Sequence, residues 1–100
     1  MSVRYERMAD GSLAAWVSDE PSSLAEVCDL VVSQLGGEIR KELIDVDQSY
    51  IDVEVDGHLI TLHSEHYLGV GVLATTPETE ETVRRVATHV HSHRTGTAGG

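Results

Sequence analysis

One hundred residues, 40% of them apolar and 24% charged, describe one globular domain, long enough for a single core and too short for two layers of sheet around a buried cofactor. The formal net charge is −10, and residues 42–83 carry all of it: ten carboxylates (Glu42, Asp45, Asp47, Asp52, Glu54, Asp56, Glu65, Glu78, Glu80, Glu81) and no Lys or Arg. A field of that sign repels nucleic acid and attracts basic partners.

The start of the chain has Arg4, Glu6 and Arg7 where a secretory leader needs an apolar run, and no later stretch approaches the length of a membrane span. A single cysteine, Cys28, forms no internal disulfide. Together these features predict a cytoplasmic protein without membrane association. Val, Leu, Ile and Ala dominate the apolar residues and Phe is absent, which predicts a thin aliphatic core.

Residues 3–8 and 13–17 are strand-prone and flank Asp10-Gly11. A two-residue hairpin loop there predicts Met8 opposite Leu13 and Tyr5 opposite Trp16. Ser23 and Glu26 have the spacing of a capping box, and Leu24, Val27, Cys28, Val31 and Leu35 recur as one stripe of a helix that Gly36-Gly37 ends.

Residues 38–46 read as a strand of ambiguous facing. Residues 50–55 and 58–63 flank Asp56-Gly57, and a two-residue turn predicts Val53 opposite Ile60 and Ile51 opposite Leu62, giving one aliphatic face. A three-residue turn at 64–66 would then set Leu68 opposite Leu62 and Val70 opposite Ile60 in a strand over 67–74. Thr76-Pro77 opens the last helix, with Glu78, Glu80 and Glu81 at its positive end and Val83, Val86, Ala87 and Val90 as its stripe.

The predicted order is β-β-α-β-β-β-β-α, an α+β two-layer sandwich in which an antiparallel sheet carries both helices on its aliphatic face. Residues 1–93 form the domain and 94–100 a flexible tail.

With both helices on the aliphatic side, the other sheet face presents Tyr50, Asp52, Glu54, Leu59, His63 and Tyr67, beside Thr61, Gly69 and Gly71. In the predicted register His63 lies between Tyr50 and Tyr67, and the carboxylates flank that row. Aromatics next to bare glycine suit a flat partner-binding surface. The plainer account is a solvated face built of good strand formers.

Other constellations are weaker. Asp45, Asp47, Ser49 and Asp56 match positions 1, 3, 5 and 12 of a calcium loop, but Tyr50 replaces its glycine and no helices flank it. His89 and His93 lie four apart on a helix, and His63 and His66 bracket a turn, with no third and fourth ligands at a metal-binding spacing. Cys28 sits on an apolar stripe, where cysteine packs as a small hydrophobe. No cofactor, metal site or catalytic set is predicted.

The reading that follows is a small, acidic, non-enzymatic binding module of immunity or inhibitor type for a basic protein partner. The alternatives are a small-molecule or metal-binding domain built on the sheet face, and a homodimer joined through that face or an edge strand.

Overall fold

The computed structural model describes the backbone of residues 3–99 and the side chains of residues 3–94. Its strands are β1 (Arg4–Arg7), β2 (Leu13–Ser18), β3 (Glu38–Ile44), β4 (Gln48–Val55), β5 (His58–Glu65) and β6 (Gly69–Ala74). Its helices are α1 (Leu24–Leu35) and α2 (Glu80–Gly99), each preceded by a 3-10 turn, Pro21–Ser23 and Pro77–Thr79. Among the described residues the strands form one antiparallel sheet ordered β1-β2-β6-β5-β4-β3, so the α+β architecture and element order are as the sequence predicts.

Both helices pack on one face. Ala15, Ile51, Val53, Val55, Ile60, Leu62, Val70 and Val72 from the sheet meet Val27, Val31, Val83, Val86, Ala87 and Val90, and the central members of this set are fully buried. Helical spacing on α1 and α2 and strict alternation on β4 and β5 put these residues on one side without exception. The β4–β5 hairpin has the predicted register, Val53 opposite Ile60 and Ile51 opposite Leu62, because Asp56 and Gly57 both take positive φ in the turn (51° and 81°).

Two registers differ from expectation. In the first hairpin the loop is five residues long: Arg7 faces Leu13, Tyr5 faces Ala15 and Arg4 faces Trp16. The Asp10 carboxylate accepts bonds from the amide and hydroxyl of Ser12, and Met8 and Ser12 close the loop through their backbones, so Asp10-Gly11 belongs to a wider Asx-type turn. Tyr5 therefore lies on the helix side, 5.1 Å from the Arg84 guanidinium carbon, and does not pair with Trp16.

Between β5 and β6 the turn is residues 66–68, Leu62 faces Val72 and Ile60 faces Ala74. Alternation is preserved and the shift is four residues. Gly69 explains the position: its φ of 97° suits the exit from the turn, and a Cβ there would run into the Ser18 carbonyl oxygen. Leu68 and Tyr67 consequently lie outside the strand.

The capping box at Ser23 does not form. The Ser23 hydroxyl donates to the Glu20 carbonyl oxygen at 2.7 Å, and Glu26 pairs with Arg94 at 2.8 Å. At the start of the last helical segment Thr76 is the N-cap and Pro77 the first residue, as predicted, and Thr79 completes a capping box, its hydroxyl oxygen accepting the Thr76 amide and also that of Thr75. The tail expected over 94–100 falls mostly on residues whose side chains lie outside the described set, and Gly100 lies outside it altogether. No described helix is long and apolar enough to cross a membrane.

Candidate functional site

The sheet face away from the helices is less open than its sequence suggests. Gly71 faces His63 in β5 and Trp16 in β2, and the missing side chain lets the Trp16 indole lie across it. Trp16 is 4% exposed and His63 4% exposed, so the middle of this face is closed by its own aromatics. The His63 ring stacks on Tyr50 at a centroid distance of 4.4 Å and stands 6.1 Å from Trp16. The Trp16 indole donates to Glu6 at 2.9 Å, and Arg4 sits over the same ring at 5.9 Å.

The row across the sheet is thus Tyr50, His63 and Trp16, and Tyr67, predicted as its third member, is absent from it. Trp16 joins the row because β2 pairs with β6, a contact between residues far apart in sequence that no local pattern announces. Burial pushes the His63 imidazole pKa below its ordinary value, against opposing pulls from the Ser49 carbonyl oxygen at 3.3 Å and the Glu65 carboxylate at 4.0 Å.

The sheet-face carboxylates are also answered. Asp52 accepts a hydrogen bond from the Thr61 hydroxyl at 2.7 Å, and Glu54 pairs with Arg40 at 3.1 Å, which also holds Glu38 at 2.9 Å. Lys41 stands opposite Asp52 in the neighbouring strand. A charge count restricted to residues 42–83 misses these cations, which β3 brings from just outside that span. Asp52, Glu54 and Leu59 are on the expected face, where Arg40 and Lys41 offset much of the carboxylate charge, and two open hollows lie there, one of about 250 Å³ lined by Lys41, Leu43, Tyr50, Asp52 and Thr61 and one of about 500 Å³ where Tyr50, Thr61 and Leu73 meet Asp10, Ser12, Thr75 and Pro77.

Five carboxylates without a Lys or Arg partner among the described residues lie together at one end of the strands. The sheet order places the connection after β2, the β5–β6 turn and the β3–β4 turn side by side at this end. They carry Asp19 and Glu20, then Glu65, then Asp45 and Asp47, and among the described residues none of these five has a Lys or Arg partner. Arg94, the nearest guanidinium that α2 brings toward this end, is engaged by Glu26.

Two large apolar side chains project from the same turns, Val46 at 95% exposure and Tyr67 at 87%. The turns are tied together: the His66 amide donates to the Asp47 carbonyl oxygen, the Ser64 hydroxyl to that of Pro21, and the His66 and Tyr67 rings meet edge to face at 4.8 Å. Asp47, Gln48, Glu65, His66 and Tyr67 line a hollow of about 310 Å³ between them. At the opposite end Arg7 pairs with Glu80 and Arg85 with Asp56, while Asp10, Glu78 and Glu81 have no Lys or Arg partner among the described residues.

The remaining constellations come apart. Asp56 lies at the far end of β4 from Asp45 and Asp47, so the calcium-loop set is not assembled. Among the described residues no group of three or more His, Cys, Asp or Glu side chains is placed to share a metal. His89 lies 2.7 Å from the Gln34 amide oxygen. Cys28 is buried in the core cluster, and burial, then Glu42 and Asp29, raise its thiol pKa and keep it from thiolate chemistry. Compared with family models, curated proteins and solved structures, the chain matches none.

Proposed function

We propose that this chain is a small, cytoplasmic, non-enzymatic module that binds a basic protein partner, as an inhibitor or immunity-type protein does, and that it binds through the acidic strand end. The observation that carries the reading is the grouping of five carboxylates without a Lys or Arg partner around Val46 and Tyr67, on three turns braced against one another. Exposed apolar anchors inside a ring of like charge are the arrangement expected of a surface that steers a partner by its field and holds it by desolvated contacts. The contact surface therefore moves from the middle of the sheet to its end, retaining Tyr67 and leaving His63 as a packing residue.

Support for a non-enzymatic role comes from the engagement of the reactive groups. Asp52, Glu54 and His63 are each held by a neighbour, and Cys28 is buried among apolar side chains that raise its thiol pKa. The test is affinity capture from the native host at low salt and at about 0.5 M salt, where a Debye length of a few ångströms screens surface charge. A basic protein should be retained at low salt, released at high salt, and missed by the variant carrying Asp45→Asn, Asp47→Asn and Glu65→Gln. Capture of nothing basic, or equal capture by the variant, would defeat the reading.

A further inference from the structure

A second unpartnered surface runs along the outer edge of the sheet. All seven residues of β3 are exposed, and the strand pairs only with β4, so its outer backbone edge has no neighbour among the described residues. Sheet edges are ordinarily guarded by charge, proline or a bulge. Here the bulge at Arg40 and the charges of Glu38, Arg40 and Lys41 guard the first half, while Leu43 and Ile44, 58% and 66% exposed, leave the second half unguarded.

Beside that half, on the helix side, α1 stands away from β3 and leaves a groove of about 340 Å³. Leu24, Cys28, Val32, Ile39, Ile44 and Ile51 give it an apolar floor, and Asp29 and Glu42 stand at its rim. Neither rim carboxylate has an ion-pair partner among the described residues. The two cations of β3 do not offset them, because Arg40 is drawn to the other sheet face by Glu38 and Glu54 and Lys41 stands across from Asp52 there.

We propose that this groove receives an extended cationic segment of the partner, which adds to β3 as a further strand and presents to the groove, on one face, an apolar side chain for the floor and a Lys or Arg for Asp29 and Glu42, while the intervening side chains point to the other sheet face. The proposal rests on the reading of a basic partner given above. Strand addition supplies affinity through backbone bonds that an edge already offers, and alternate side chains supply selectivity. Charge chooses the occupant. A second copy paired through β3 would bring Asp29 and Glu42 of each chain to the same side and join two molecules of net charge −10, whereas a basic strand is complementary at both rim positions. The groove also continues into the acidic end, since Asp45 follows Ile44 directly.

The test titrates a capped octapeptide, Thr-Val-Thr-Lys-Thr-Val-Thr-Lys, whose Val and Lys share one face of an extended strand, into the isotopically labelled full chain and follows backbone amide shifts and amide exchange. Shifts should concentrate on residues 25–32 and 39–44, exchange in β3 should slow, and the Asp29→Asn/Glu42→Gln double variant, which alters exposed side chains only, should bind roughly tenfold more weakly. Shifts confined to residues 45–47 and 65–67, equal binding of the same octapeptide with Glu in place of Lys, or a concentration-dependent dimer that Ile44→Lys returns to monomer would each overturn the proposal. Applied to the partner capture described above, the same double variant separates the two claims: a partner retained undiminished by it refutes the groove and leaves the acidic end standing, while a chain that captures nothing basic refutes both.

Discussion

At Gly71 a Cβ atom would lie 2.8 Å from Cε3 of Trp16 and 3.0 Å from Cζ3, closer than real side chains approach. Gly71→Ala must therefore lift the indole off the sheet, at a cost of about 1–3 kcal/mol for overpacking. A lower urea midpoint and a shifted tryptophan emission check this, and an unchanged spectrum would show that the indole is not seated there. His63 in the same cluster predicts a pH dependence. Burial holds its pKa below the ordinary value of about 6.5, so near that pH the unfolded chain takes up a proton that the folded chain refuses. Stability is then full above about pH 6.5 and falls as the pH drops from there toward the folded-state pKa of His63. Urea midpoints measured across that range should decline for the wild type, and His63→Phe, which keeps a ring against Tyr50, should flatten the decline; parallel curves would assign the acid sensitivity to other groups.

Among the elements, those read correctly from the sequence are those whose pattern admits one answer. Val83, Val86, Ala87 and Val90 are all fully buried on α2, and Asp56-Gly57 fixes the β4–β5 register because a one-residue slip would turn Ile51, Val53, Ile60 and Leu62 to solvent. The β5–β6 shift was not legible, because moving the turn by two residues keeps alternation intact, and the deciding contact, Gly69 against the Ser18 backbone, joins residues far apart in sequence. The first hairpin was missed for the opposite reason: a local side-chain bond, Asp10 to Ser12, outweighs the familiar two-residue turn. For β3, exposure along its whole length predicts that its amides exchange faster than those of β5 and β6, and that Leu43→Lys or Ile44→Lys changes stability by no more than about 0.5 kcal/mol. Protection of β3 in the isolated chain equal to that of β6 would contradict its standing as a free edge.

For the whole molecule, net charge was legible in the sequence and its placement was not. A run of ten carboxylates along the chain looks like a continuous acidic strip, yet folding sends Glu54 to Arg40, Asp56 to Arg85 and Glu80 to Arg7, all cations from outside the run. Three of those left without a Lys or Arg partner among the described residues, Asp45, Asp47 and Glu65, meet where three connections lie side by side at one strand end, joined by Asp19 and Glu20 from outside the run, with Tyr67 and Val46 projecting among them. Site-specific photo-crosslinking in the native host tests this most directly, with a benzophenone side chain at position 67 or 46 and, as the control, at position 58 on the opposite end, beside the Asp56–Arg85 pair. The account predicts an adduct with a basic protein from positions 67 and 46 and none from position 58; no adduct from the acidic end, or the same adduct from both ends, would contradict it.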